Sequence, residues 1–290
     1  MDYRNLLTPL AFFALIMAFA SFWVKRSPWM WGGFFLMFLL LGLFTKILDP
    51  IALLPILALF VLHGLLSQMP QGILRLSLVL VTTGLSICLW IHFFPGFHSF
   101  ALSEKVALSP GAQPYGLFLH PDKPLIGFFV LASGLPLITS LSFFKTLCKV
   151  VIPLSLAGAL LLALLAVYTG MISWSPKLPS LFWLFAPLNL LLVAIPEEAF
   201  MRGFVQNECL RLFGDKGIAS QILAILATSL LFAALHWGWV KNFPFLILVF
   251  SAGIIYGAIY QFTRAIEASI LCHFIFNLVH FTLFTYPVRL

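Results

Sequence analysis

Hydrophobic residues occur in long continuous runs separated by short polar connections. Each run is close to the roughly 20 residues that a helix needs to cross a bilayer, and none alternates as the strands of a membrane barrel do. The pattern predicts an all-α polytopic transmembrane bundle of about ten spans. The runs cover approximately residues 6–24, 28–45, 48–66, 73–94, 124–144, 149–168, 181–201, 219–237, 243–262 and 266–285.

One long polar connection, rich in Pro, Gly and Ser, separates the fourth run from the fifth. It divides the chain into segments that we expect to act as separate parts. Residues 1–95 are predicted to hold about four N-terminal membrane helices, and 96–123 an extramembrane loop. Residues 124–180 are predicted to hold two further membrane helices, and 181–290 a C-terminal core of four.

Composition excludes a soluble protein. Of the 290 residues, 62% are hydrophobic and 9% are charged, and the mean hydropathy is +1.09. A soluble domain carries roughly 25% charged residues. The formal net charge is +7, but the basic residues are scattered singly or in pairs, so they indicate membrane-interface anchors and not nucleic-acid binding. The four cysteines have no metal-binding spacing.

Two adjacent carboxylates, Glu197 and Glu198, end the seventh run, and Arg202 follows. Ionisable residues inside a membrane cost about 2.5 to 3.5 kcal/mol each, so they are functional candidates. Adjacent helical positions point about 100° apart, whereas positions four apart share a face. The spacing therefore predicts that Glu198 pairs with Arg202 and that Glu197 faces a reaction site.

Two further polar motifs follow in the apolar helices. Phe232 and His236 stand four residues apart near the end of the eighth run, and His273 and Asn277 stand four apart in the last run. His280 extends the second motif along the same helix face. In contrast, an isolated histidine such as His63 or His92 is predicted to be a core residue bonded to a neighbouring carbonyl.

The ordered set of motifs, with Glu197, Glu198 and Arg202 first, Phe232 and His236 next, and His273 and Asn277 last, resembles the CPBP family of intramembrane proteases. That family includes the CAAX prenyl endopeptidases and bacteriocin-immunity-type (ABI family) relatives. The resemblance covers residues 181–285 and implies a four-helix CPBP catalytic core within 181–290.

The resemblance implies an intramembrane endopeptidase. Glu197, helped by His236, is expected to activate a water, and His273 and Asn277 are expected to stabilise the oxyanion on the scissile carbonyl. Supporting roles are implied for the remaining motif residues, Glu198, Arg202 and Phe232.

Three alternatives stay open. The same hydrolase could depend on zinc held by Glu197, His236 and His273, although the resemblance favours no cofactor. A proton- or ion-coupled transporter could use the same ionisable groups, but the sequence has no inverted repeat to support one. A non-catalytic scaffold or immunity protein could retain the residues as inherited structure.

The resemblance also sets expectations for partners and location. We expect membrane lipids and a membrane-proximal or lipid-anchored peptide or protein substrate, and no nucleic acid. The protein is expected to be an integral multi-pass protein of a bacterial inner (plasma) membrane.

Overall fold

The structure, a computed structural model, describes residues 3–24, 27–214, 217–238 and 242–289. Ten helices dominate this part of the chain. They are α1 (Tyr3–Val24), α2 (Pro28–Thr45), α3 (Leu53–Gln68), α4 (Ile73–Trp90), α5 (Lys123–Ala132), α6 (Leu141–Tyr168), α7 (Phe182–Phe213), α8 (Ile218–Leu235), α9 (Phe243–Thr263) and α10 (Ile266–Leu283). A 3-10 turn, Pro50–Ala52, precedes α3. Strands β1 (Phe100–Ala101) and β2 (Phe118–Leu119) pair antiparallel, with Phe100 opposite Leu119.

Among the described residues, nine helices are long and apolar enough to cross a membrane. This confirms the predicted all-α polytopic bundle, and the protein is an integral multi-pass membrane protein. Large apolar side chains on α6, such as Leu154, Leu161 and Leu164, are exposed. Such an apolar outer surface is stable against lipid, where water would disfavour it.

The predicted run 124–144 is the exception, because its helix, α5, has only ten residues. Asp122 caps the start of α5 by accepting a hydrogen bond from the Lys123 backbone N–H at 2.9 Å. Gly134, with φ at +102°, and Pro136 follow the last helical residue and do not continue a helix. The segment is therefore a short buried helix followed by irregular chain.

The N-terminal unit comprises residues 1–102 and 118–135. Its interior is aromatic: the fully buried ring of Phe128 stacks on Phe35 at 4.3 Å between centroids. Four further aromatic rings of the described residues lie 5.4 to 5.9 Å from it, those of Phe19, Phe22, Trp31 and Phe129. Helix α4 ends at Trp90, so His92 lies beyond the helix and is exposed. The prediction that His92 is a core histidine is wrong.

The C-terminal unit comprises residues 103–117 and 136–290, and it contains α6 to α10. In this unit the ring of Tyr115 lies against Phe281 and Tyr286, with centroids 6.4 and 4.9 Å away. The segment around Tyr115 therefore packs with the C-terminal helices. The four-part division predicted from the sequence stays a prediction.

Candidate active site

The two glutamates lie on an irregular part of α7. Glu197 and Glu198 belong to a single α-helical turn, Ile195–Glu198, between two π-helical stretches, Leu190–Ala194 and Ala199–Gln206. Pro196 has no N–H to donate and its ring presses on the preceding turn, and a wider π-helical turn accommodates both effects. Single π turns inside α-helices occur frequently at functional sites.

Glu198 is the centre of a buried hydrogen-bond network. Its Oε1 accepts from Arg202 Nη1 at 2.9 Å and from His273 Nδ1 at 2.8 Å, and its Oε2 accepts from the hydroxyl of Ser269. Glu198 and Arg202 are fully buried, and Glu197 is 1% exposed. Because buried charges are stable only when they are paired and hydrogen-bonded, this network is what allows the carboxylate to lie there.

Arg202 is held on three sides. Besides Glu198, its Nη2 donates to the backbone oxygen of Gly253 at 2.9 Å. The guanidinium lies 5.0 Å from the ring centroid of Phe232 and 5.3 Å from that of Tyr256, within the range of a cation–π contact. The arginine thus links α7 to α8 and α9.

Two further hydrogen bonds continue this connection between α7 and α9. One turn beyond Arg202, Gln206 Nε2 donates to the backbone oxygen of Gly257 at 3.1 Å, and Asn207 Nδ2 donates to the hydroxyl of Tyr260 at 2.8 Å. The two helices therefore meet through a row of polar side chains and backbone carbonyls.

Two glycines four residues apart on α9 permit a close approach to α8, and the second of them also permits a close approach to α7. A Cβ at Gly253 would lie 3.0 Å from Ser229 Cβ and 3.2 Å from Ser229 Cα. A Cβ at Gly257 would lie 3.0 Å from Gln206 Oε1 and 3.2 Å from Ile225 Cγ2. Small residues at this spacing let membrane helices pack backbone to backbone.

Both motif histidines have their Nδ1 atom bonded to an oxygen acceptor. His273 Nδ1 lies against Glu198, and His236 Nδ1 donates to the Phe232 carbonyl at 2.8 Å. Since a carboxylate or carbonyl oxygen accepts, Nδ1 carries the hydrogen and Nε2 of each neutral ring keeps its lone pair. The Phe232 ring contacts both histidines, 4.5 Å from His236 and 5.8 Å from His273, and Tyr256 stacks on His273 at 4.9 Å.

Asn277 lies one helical turn beyond His273 and is oriented by a residue of α7. Its Nδ2 donates to Asn189 Oδ1 at 3.1 Å, and Asn189 is 8% exposed. His280, which continues the same stripe, instead donates from Nε2 to the backbone oxygen of Thr285 at 3.2 Å. Within this polar stripe, His273 and Asn277 therefore bind residues of α7, whereas His280 binds the chain that follows α10.

The structure brings most of the predicted residues into one cluster. Hydrogen bonds or ring contacts connect Glu198, Arg202, Phe232, His236 and His273, and Glu197 is buried next to Glu198 on the same turn. Asn277 contacts Asn189.

Sequence reasoning missed three members: Ser269, Asn189 and Tyr256. Ser269 stands four residues before His273 on the same helix face, and Asn189 is the one polar residue in 181–194. Both positions could therefore have been identified from the sequence. Tyr256 had none.

The zinc alternative requires Glu197, His236 and His273 to converge on one ion. In the part of the chain that the structure describes, the only group of three such side chains with ligand atoms within 4.8 Å of one another is His92, His120 and Asp122. Glu197, His236 and His273 are not such a group among the described residues.

Comparison with known families covers the same helices. Residues 179–279 match the family described as type II CAAX prenyl endopeptidase Rce1-like. No curated protein matches the chain, and no solved structure does. The matched segment includes every motif residue from Glu197 to Asn277 and supports a membrane endopeptidase. The chain therefore carries an Rce1-like domain at residues 179–279, as expected of a member of the CPBP family.

Proposed function

We propose that the protein is an intramembrane endopeptidase that hydrolyses a peptide bond in a membrane-associated or lipid-anchored protein or peptide. The observation that carries the proposal is the buried Glu198 network. A carboxylate that accepts from Arg202, Ser269 and His273 inside membrane-spanning helices costs too much to be packing material. It holds His273 in a fixed orientation, and a second buried carboxylate, Glu197, belongs to the same helical turn as Glu198.

Hydrolysis needs a base that takes a proton from the attacking water. Glu197 is the proposed base, and His236 assists it. His236 donates its Nδ1 hydrogen to the Phe232 carbonyl. The other ring nitrogen, Nε2, has the lone pair and is therefore the atom that can accept a proton. His236 is also only partly buried, so its ring can exchange protons with water outside the cluster.

The tetrahedral intermediate needs hydrogen-bond donors for its oxyanion. Asn277 has two amide N–H groups, one of which is donated to Asn189, so the other is available to the oxyanion. His273 can donate from Nε2 once that atom has taken up the proton that Glu197 removes from the attacking water. The carboxylate of Glu198 against Nδ1 stabilises the resulting imidazolium, which gives Glu198 a direct part in positioning and charge.

The proposal is tested by mapping protein termini in native membranes. Cells that carry the wild-type protein are compared with cells that carry Glu197→Gln at matched abundance. Glu104→Gln serves as the matched control, because Glu104 is exposed and outside the cluster. We expect new protein ends in the wild type and in the control, and none in Glu197→Gln. The sequence around those ends identifies the substrate class, and separation of the membranes tests the expected bacterial plasma-membrane location.

The same cells separate the alternatives. New ends that persist at the wild-type level in Glu197→Gln would contradict the glutamate mechanism. Identical termini in cells with and without the protein would favour a non-catalytic scaffold or immunity protein, or a transporter. Zinc dependence would be supported if the purified enzyme lost both one equivalent of zinc and its activity with a chelator, and if Glu197→Gln no longer bound that zinc.

A further inference from the structure

A second cluster of ligand-bearing side chains lies in the N-terminal unit, outside the membrane spans. It consists of His92, which follows α4, His120, which follows β2, and Asp122, which caps α5. Each of the three offers one ligand atom, and these atoms all lie within 4.8 Å of one another. The donors of a tetrahedral zinc ion lie about 3.4 Å apart, given bonds of roughly 2.0 to 2.1 Å. To bind one ion, the stacked rings of His92 and His120 must turn so that a nitrogen of each points at the same position.

The cluster is held together without a metal by polar contacts. His92 Nδ1 donates to Asp122 Oδ2 at 2.7 Å, and the His92 ring stacks on the His120 ring at 4.3 Å with 26° between their planes. The hydroxyl of Ser99 lies 2.7 Å from His120 Nδ1. Two adjacent imidazoles with one carboxylate form a ligand set that suits divalent ions of the zinc type.

Two of these residues have distinctive local structure, His92 in its backbone conformation and Asp122 in a hydrogen bond that orients its carboxylate. His92 has φ at +58°, a left-handed conformation that favours glycine at a helix C-terminus. A histidine here gains nothing from the turn itself. Asp122 is 2% exposed, and its other oxygen is bonded to the Lys123 N–H at the start of α5. Its carboxylate is therefore oriented before any ion binds.

We propose that His92, His120 and Asp122 bind one divalent transition-metal ion of the zinc type. The side chain of His92 is 43% exposed, so an ion can enter from water, and a water can complete the coordination. Such an ion joins the end of α4 to the start of α5 and closes the long connection between them. This site is independent of the proposed peptidase chemistry.

The test is zinc binding by the full-length protein, purified in detergent and stripped with a chelator. Zn²⁺ is titrated against a competing indicator for the wild type, His120→Gln and His98→Gln. His98 is the matched control, because it is an exposed histidine of the same connection that is bonded to Asp49 instead. We expect one equivalent of tight binding in the wild type and in the control, and at least roughly tenfold weaker binding in His120→Gln.

Thermal unfolding separates binding from folding. With chelator, His120→Gln should unfold at the same temperature as the wild type. Added Zn²⁺ should raise the unfolding midpoint of the wild type and of His98→Gln, but not that of His120→Gln. Should His120→Gln unfold early even with chelator, His92→Gln takes its place in the titration. Wild-type protein that binds no zinc, or a substituted protein that binds it as tightly as the wild type, would overturn the site.

A zinc ion in the active site gives a different result. If Glu197→Gln binds no zinc while His120→Gln still binds it, the present proposal is overturned. That result would favour the zinc-dependent form of the hydrolase. If His120→Gln binds no zinc but still produces the Glu197-dependent protein ends, the two proposals are supported separately. The experiments therefore distinguish a failure of the metal site from a failure of the proposed peptidase function.

Discussion

The interiors of the two units differ in the kind of side chain at their centres. In the N-terminal unit, the centre is the ring of Phe128 against Phe35 and other aromatic rings. In the C-terminal unit, the centre is the carboxylate of Glu198 with Arg202 and His273, which are at most 4% exposed. Both interiors exclude solvent, but only the second is centred on charged side chains. In the N-terminal unit the buried carboxylate of Asp122 lies at the start of α5, apart from the Phe128 cluster.

The difference shows which interior serves stability alone. Aromatic rings inside a helical bundle gain dispersion contacts through close packing and leave no polar group unsatisfied. An ion pair in the same position must overcome the cost of desolvation, and replacing a buried pair by well-packed apolar groups is often neutral or stabilising. Stability alone does not account for the charged interior, which the proposed peptidase chemistry would require. Four predictions test this contrast.

Arg202→Ala should have the largest effect on stability. It leaves Glu198 as a buried carboxylate without its cation, at a cost of about 3 to 5 kcal/mol. We expect low abundance in the membrane and a lower free energy of unfolding in detergent, together with lost activity. Normal abundance and unfolding with a selective loss of turnover would instead place Arg202 in direct contact with the reaction.

Phe128→Ala should destabilise the N-terminal unit by a similar amount, about 3 to 5 kcal/mol, because a fully buried ring is replaced by a cavity. Phe128 belongs to the N-terminal unit, whereas Arg202 and the candidate active site belong to the C-terminal unit. We expect reduced abundance, but an unchanged rate of cleavage per folded molecule. A changed rate per folded molecule would show that this packing also controls the chemistry.

Asn277→Ala should lower turnover by about two to three orders of magnitude if its amide donates to the oxyanion. Its abundance should stay near that of the wild type, since Asn277 is partly exposed and its partner Asn189 carries no charge. The measurement is the rate at which the Glu197-dependent ends appear. A rate within threefold of the wild type would remove Asn277 from the mechanism.

Gly253→Ala should have the smallest effect of the four, a loss of about 1 to 3 kcal/mol. The added Cβ would lie 3.2 Å from Ser229 Cα, so α8 and α9 must separate slightly and the Arg202 hydrogen bond to Gly253 must lengthen. Gly64→Ala, which meets no atom within 4 Å, is the control for the loss of a helical glycine. Equal unfolding of the two proteins would show that the close approach is not under strain.

Much of the fold and part of the site follow from local pattern. Nine of the ten apolar runs became spans, because length and hydropathy suffice to define a membrane helix. The pairing of Glu198 with Arg202 follows from their spacing on one helix. The run 124–144 did not become a span, because Gly134 and Pro136 interrupt its helix and hydropathy alone does not detect such an interruption.

Other features required the packing of distant segments. The exposed His92 was mistaken for a core residue, because the apolar pattern runs past the true end of α4. Its partners in the cluster, His120 and Asp122, are nearly 30 residues away, across a polar connection with no regular period. No spacing rule predicts contacts over such a separation.

The sequence by itself determined that this is a membrane bundle with a C-terminal protease-like core, because hydropathy and the order of motifs are properties of the chain. Only the tertiary structure decided that Glu198 bonds to His273 on another helix, and that Asn189 orients Asn277. Helix periodicity specifies which side chains share a face, but which faces meet depends on how all the helices pack together.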